Sequence, residues 1–520
     1  MPKTKKSPSA KATGDKPAKM IPPVKGVSAA GVKPVAAVPA PEGEAPKPKR
    51  TSPPPNLLRG MKDVLPGEQK FWTLIRNAVE SLASGFGFER VDTPTLEETA
   101  LFVRGVGKQT DIVEKELYSF VDQGGESMTL RPELTAPLAR AYVNHGMWNQ
   151  PQPIKWFTWG RVFRHERPQS GRYRQFTQAG LDVFGDKHPV IDANLIFAAH
   201  ALFKEIGLDA LVLVNSIGDV PSREAYKNEL VNYYRSKRSQ ICENCKKRLQ
   251  RNPLRVLDCK EEGCVAVKAE APQIVDFLNE ESKNHFIRVL EYLDELEVPY
   301  QLQPHLVRGL DYYSHTVFEV VLAADSESQA SQSALAAGGR YDGLIETLGG
   351  TATPAVGFSW GIERIILALK DKSVPVPEIH TPDVFVAQLG EPARRKTLAL
   401  FNALRKDGVR VAESFSRDAL KQQLEIANRM GVRFTVILGQ KEVLDGTALI
   451  RDMDSGIQEI VDFKKCAIEL KKKLAQPAPP KITPPPPPEP EEPLLAEEAM
   501  KVDEEEEEGD DKDKKKKDEE

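Results

Sequence analysis

The side chains best suited to chemistry concentrate between Trp159 and Gly185, in WGRVFRHERPQSGRYRQFTQAGLDVFG. The stretch reads as strand, polar loop, strand. Along the second strand Arg174, Phe176, Gln178, Gly180 and Asp182 alternate with Thr177, Ala179, Leu181 and Val183. Period-2 geometry therefore points a cation, an aromatic ring, an amide and a carboxylate to one side and packs the apolar set behind them, with Gly180 leaving room for a ligand. A lone hairpin of this kind would be solvated on its polar face, but four further segments argue for a cavity. TLRPELTAPLARA carries Glu133 and Thr135 two residues apart, on the same side of an extended chain. LVRGLDYYSHTVFEV offers Arg308, Tyr312 and Tyr313, and AAGGRYDGL adds Tyr341 beside a glycine pair that would let backbone approach a ligand. VGFSWGIERIILALK runs from a short strand into a helix with Arg364 in its first turn. Arginines from separate segments suit bidentate capture of phosphate or carboxylate.

A second constellation is CENC at 242–245 followed by Cys259 and Cys264. Two ligand pairs at this spacing fit a structural zinc site made of Cys242, Cys245, Cys259 and Cys264. The alternative is four reduced thiols without a metal.

The elements that must position these groups follow from pattern. A helix is expected after Pro66 and Gly67, with Phe71, Ile75, Val79 and Leu82 on its buried face and its end at Gly85. FERVDTPTLEET reads as a strand whose Pro94 belongs at an edge or interface. Strand-rich sequence with intervening helices continues to about residue 220, a helical cysteine-containing insertion occupies 221–300, and strands resume to a helix ending near Leu369. Without strict βαβα alternation, 56–220 with 301–375 is expected to be an α+β domain around an antiparallel sheet. From 380 to 475 strands and helices do alternate, which describes a small α/β domain.

The two ends are different in kind. Residues 1–55 hold 13 prolines and 11 Lys+Arg against three acids; residues 476–520 hold 10 prolines and 17 acids against seven lysines. Both arms are expected to be disordered, the first basic and the second acidic. With a net charge of -4 for the whole chain, any RNA surface must be a local basic patch. No apolar run reaches membrane-spanning length, and the basic arm lacks the apolar stretch of a secretory signal, so no membrane partner is expected. Four clustered cysteines fit a reducing compartment.

These motifs resemble the three signature motifs of class II aminoacyl-tRNA synthetases. GFERVDTP with its preceding helix is similar to the dimer-forming motif 1, FRHE with its loop to motif 2, and GFSWGIER to motif 3, while RGLDYY with GGRYDGL resembles the histidine-specific signature of the histidyl enzymes. The opening RGMKDVLP also matches, and the resemblance covers roughly 56–475. It implies ATP-dependent ligation of L-histidine to tRNA(His) through a histidyl-adenylate, with Mg2+, in a cytoplasmic homodimer carrying a C-terminal anticodon-binding domain. By the same resemblance Arg164 would hold the α-phosphate, Arg364 the triphosphate tail and Phe176 the adenine. Arg308 would reach the histidine carboxylate and the α-phosphate as a fixed cation. Glu133, Thr135 and Gln178 would take the ammonium group, and Asp182 and Tyr313, with Tyr312 and Tyr341 beside them, the imidazole. Arg167 and Gln169 would approach the tRNA acceptor end. His315 is given no catalytic role. The alternative readings are an inactive synthetase-like regulatory subunit of histidine biosynthesis, which would lose motif arginines that this chain keeps, and an RNA-binding scaffold, which would leave the cavity residues without purpose.

Overall fold

The structure, a computed structural model, describes residues 55–323, 334–377 and 382–476. The expectations for the basic arm and the acidic tail fall almost wholly outside these residues. In the first part of the chain the strands are β1 (Glu89–Arg90), β2 (Leu96–Glu98), β3 (Tyr118–Val121), β4 (Ser127–Leu130), β5 (Ile154–Phe163), β6 (Gln175–Phe184), β7 (Ala210–Ser216), β8 (Tyr300–Leu302), β9 (Ser314–Leu322), β10 (Ala336–Arg340) and β11 (Ala355–Gly361). Eight of them form one sheet in the order β1-β5-β6-β11-β10-β9-β7-β8, antiparallel throughout except for the short edge strands β1 and β8, which run parallel to their neighbours. The class is α+β.

The two faces of this sheet are packed differently, and β6 shows how. Its odd residues Ala179, Leu181 and Val183 enter a core shared with the helices Gln69–Gly85, Pro189–Glu205, Glu280–Glu295 and Ile362–Asp371. Its even residue Phe184 enters a second core on the opposite face, with Tyr142 of the helix Thr135–Asn144 and with Leu249, Val256, Cys259 and Cys264 of the cysteine-bearing segment. The alternation read from sequence is the alternation of the sheet.

Several local readings are corrected. FERVDTPTLEET is two strands in two sheets: β1 pairs with β5, β2 belongs to the separate sheet β2-β4-β3, and Pro94 lies in the unpaired stretch between them. Glu133 and Thr135 are not in extended chain, because Thr135 starts the helix Thr135–Asn144. The first helix does end at Gly85 as expected, and the left-handed residue follows two positions later, at Gly87 (φ 75°). The glycine pair Gly338 and Gly339 serves strand packing rather than ligand access. A Cβ at Gly338 would lie 2.3 Å from the carbonyl oxygen of Gly357. The helix Glu280–Glu295 puts Phe286, Val289 and Leu293 into the main core, so it packs with the sheet rather than with the cysteine-bearing helices before it.

The C-terminal part has its own sheet, β13 (Val411–Glu413), β12 (Val384–Gln388), β14 (Phe434–Leu438), β15 (Thr447–Asp452) and β16 (Gln458–Asp462) in that order, and its own apolar clusters on both faces. β12, β13 and β14 are parallel, as the α/β alternation demands, and the antiparallel pair β15–β16 extends the sheet. Gln423 is buried here as a brace, donating to the carbonyls of Gln388 (2.8 Å) and Arg417 (3.1 Å).

Candidate active site

A cavity of about 450 Å³ opens on the sheet face that carries the even residues of β6. Glu133, Thr135, Arg164, Phe176, Gln178, Arg308, Tyr312, Tyr313 and Arg364 all line it. Nine of the residues singled out from sequence are thus brought together from four separate segments.

One end is acidic and phenolic. Glu133 is buried and its carboxylate accepts the backbone N–H groups of Thr135 (2.6 Å) and Ala136 (2.7 Å), so it caps the helix it precedes. That fold-back puts it on the cavity, where the Tyr312 hydroxyl donates to it at 3.4 Å. Burial raises its pKa against the opposing pull of those two N–H groups. Asp182 and Tyr341 lie just behind the lining, both buried, with the Tyr341 hydroxyl donating to Asp182 Oδ1 at 2.6 Å. Burial pushes the Asp182 carboxyl up to about 7. The rings of Tyr312, Tyr313 and Tyr341 lie within 6.5 Å of one another, centroid to centroid. Gln178 Oε1 is buried without a partner among the described residues. Gly180 differs from expectation: a Cβ there would meet Ser359 Oγ at 3.0 Å and the Phe358 carbonyl at 3.1 Å, so its smallness is taken up by β11.

The other end is cationic. Arg164 follows β5, donates Nε to the Pro132 carbonyl (2.9 Å) and lies over the Phe176 ring at 5.4 Å. Arg364 is held by the carbonyls of Gly171 (3.2 Å) and Ala334 (2.9 Å), with burial first and Arg172 second lowering its pKa. Arg308 sits over Tyr313 at 5.5 Å and donates Nη1 to Glu319 Oε1 at 2.5 Å. Its Nε and the Glu319 Oε2 are buried without partners. Burial is the largest single influence and would lower the Arg308 pKa, but Glu319 together with Tyr313 and Tyr312 raises it.

Arg174, expected on the cavity face, instead donates to the carbonyls of Glu166 and Arg59. Arg167 and Gln169 are exposed on the loop between β5 and β6 and do not line the cavity. His315 is also outside it. Sequence reasoning missed Glu319, which faces the cavity from a strand that reads as apolar. It also missed Arg172, Glu166, Arg255, Asp258 and Lys260. The last three come from the cysteine-bearing segment, where the sequence pattern pointed only to the sulfurs.

In that segment the four sulfurs of Cys242, Cys245, Cys259 and Cys264 lie within 4.8 Å of one another, and none is in a disulfide. Thiolates at about 2.3 Å around tetrahedral zinc stand roughly 3.8 Å apart. The Cys242–Cys259 sulfur separation is 3.8 Å. The donor set and its geometry fit zinc.

A mixed-strand sheet of this order, with motif arginines converging on one face and a separate α/β domain after it, is the architecture of a class II aminoacyl-tRNA synthetase. Residues 60–365 match the family described as histidyl-tRNA synthetase, and 383–473 match the anticodon binding domain. The chain is 41% identical to the histidine--tRNA ligase of Geobacillus sp. (strain WCH70) over 81% of its own length and 99% of that protein's. It is 43% identical to the enzyme of the same name from Natranaerobius thermophilus, over 80% and 98%. The structure of apo S. aureus histidyl-tRNA synthetase superposes with a TM-score of 0.67 at 34% identity, covering 80% of this chain and 99% of that one. The chain belongs to the histidyl-tRNA synthetase family. Among the described residues no helix is long and apolar enough to cross a membrane.

Proposed function

We propose that the chain ligates L-histidine to tRNA(His) through a histidyl-adenylate, releasing AMP and diphosphate. The observation that carries this reading is a single cavity lined both by Glu133 with two phenols and by three arginines from three segments. An amino acid and a polyphosphate are the pair of ligands that such a polarised pocket would hold side by side.

In the first step a carboxylate oxygen of histidine attacks the α-phosphorus of ATP, the bond to the bridging oxygen breaks, and pyrophosphate leaves. Little covalent help is needed, and the rate comes from alignment and from fixed charge. Arg308 has the attributes of a fixed cation: Glu319 and the Tyr313 ring hold its plane, and its Nε is left free. Arg164 and Arg364 would take the α-phosphate and the tail, and Phe176 the adenine. ATP arrives as its Mg2+ complex, and the unpartnered Glu319 Oε2 is a hard oxygen donor suited to that cation. Glu133, Thr135 and Gln178 would receive the ammonium group, Gln178 Oε1 being an acceptor without a donor. Asp182 held by Tyr341, with Tyr313, would meet the two imidazole nitrogens. Apolar side chains of similar size would leave those groups unpaired. In the second step the terminal ribose hydroxyl of the tRNA attacks the acyl carbon and AMP leaves, with Arg167 and Gln169 near the acceptor end.

The domain assignments are part of the same reading: catalytic residues 56–220 and 301–375, an inserted segment that we end before Glu280, and an anticodon-binding domain from 380 to 475. Homodimerisation is supported by the exposed apolar side chains Leu57, Leu58 and Leu65 ahead of the first helix and Leu96 at the start of β2, and sedimentation at micromolar concentration tests it. Zinc on the four cysteines is supported by their separation, and free thiols fit the cytoplasm. Metal analysis of protein purified without added zinc should give about one ion per chain, whereas a value near zero with an intact fold would remove the idea.

The deciding measurement is histidine-dependent exchange of pyrophosphate into ATP. Exchange driven by another amino acid would overturn the specificity. No exchange from clean protein would overturn the activity.

A further inference from the structure

We propose that Lys260 is a phosphate-binding residue of the active site, contributed by the cysteine-bearing segment and directed at the β- and γ-phosphates of ATP. This rests on the synthetase reading above. Lys260 directly follows Cys259, one of the four clustered cysteines, and it lines the same cavity as Arg164, Arg308 and Arg364.

The case comes from pairing each cation on the cavity wall with its acids. Arg308 has Glu319, Arg164 and Arg172 share Glu166, and Arg248 and Arg255 share Asp111. Among the described lining residues, Arg364 and Lys260 are the two cations with no carboxylate within 4 Å. Lys260 Nζ is buried and has no hydrogen-bond partner among the described residues either. A buried ammonium group left unpaired is costly, and a neighbouring Arg172 adds repulsion. One carboxylate would answer one of the two charges. A diphosphate tail carries enough charge to answer both, and Arg364 is the arginine placed for that tail. The adjoining residues hold Lys260 in place: Cys259 is buried in the sulfur cluster, and Asp258 on its other side is paired with Arg255 at 2.5 Å.

The test uses calorimetric binding of ATP, pyrophosphate, AMP and histidine to the full-length chain and its Lys260→Met and Lys260→Arg variants. Lys260→Met should weaken ATP and pyrophosphate by about tenfold or more and leave AMP and histidine within about twofold, while Lys260→Arg should retain most of the affinity. Unchanged ATP and pyrophosphate binding in Lys260→Met would overturn the proposal, as would an equal loss for AMP, which lacks the tail, or for histidine. Should Lys260→Met fail to fold, Lys260→Gln carries the same comparison. A wild-type chain without histidine-dependent exchange sinks the synthetase reading; wild-type exchange with unaltered phosphate binding in Lys260→Met sinks only this inference.

Discussion

At the scale of single residues, two groups of the site are held in opposite ways. Asp182 is buried with one phenol as partner, and burial lifts it to about 7. The unfolded chain releases that proton near the ordinary aspartate value and the folded chain near 7. The folded state therefore binds the extra proton in between, and stability from this group falls as pH rises from about 4 to about 7, on the order of 4 kcal/mol in all. Asp182→Asn removes the charge, so it should raise Tm relative to wild type at pH 8 and change it much less at pH 4, while abolishing histidine-dependent exchange. Equal shifts at both pH values would mean that the carboxylate is not held against its charge. Arg308 is instead stabilised as a cation by Glu319. Arg308→Ala should cut kcat of activation by roughly 100-fold or more with a far smaller change in ATP affinity, and equal losses in both would contradict a transition-state role. The nine lining residues singled out from sequence were legible because each lies in a short motif. Glu319 and Lys260 were not, since a lone acid in SHTVFEVVL and a lysine among cysteines acquire meaning only from neighbours far away in sequence.

At the scale of elements, the hairpin β5–β6 and the helix bearing Arg364 were readable because alternation and helical spacing act over local distances. The split of FERVDTPTLEET between two sheets was not, because sheet membership depends on partners that local pattern does not name. The glycine pair in β10 taught the opposite lesson: the residue type was noticed and its reason was wrong. β10 lies between β9 and β11, and Gly338→Ala would press a Cβ against the carbonyl of Gly357. We expect a loss of about 3 kcal/mol or more, read as a large fall in denaturation midpoint, and a midpoint like wild type would refute this account. The cysteine segment also acts as an element. Cys245→Ser should lower bound zinc and weaken ATP binding more than histidine binding, because the segment lines the part of the cavity proposed to hold the phosphates; an equal effect on both ligands would count against that proposal.

At the scale of the molecule, two sheets have separate apolar clusters, and on the function proposed above they would divide the labour. A chain truncated after residue 377 should keep histidine-dependent exchange within a few-fold of the full chain, yet charge tRNA(His) with a KM raised by at least about tenfold, as expected when a whole RNA-binding surface is removed. Loss of exchange in a folded truncation would show that the division is false. The alternation of strands and helices made the second domain legible to Leu438, while its antiparallel extension β15–β16 lay in a stretch whose turns and charges masked the pairing.

One arrangement in the catalytic sheet bears on how such an enzyme can change over generations. Arg340 and Tyr341 are adjacent at the end of β10, and both are almost wholly buried. Tyr341 braces the Asp182 carboxylate, while Arg340 is locked to Asp192, whose carboxyl burial would raise but the guanidinium holds well below its usual range. Asp342, the next residue, accepts from Arg340 and from the Ala355 N–H. Three consecutive positions thus hold the sheet together and, on the function proposed above, would also bear on the choice of substrate. A mutational route to a different amino acid would have to cross unfolded intermediates here, so laboratory selection for altered specificity should find its substitutions on the phenolic loop at Tyr312 and Tyr313 and leave this tripeptide untouched.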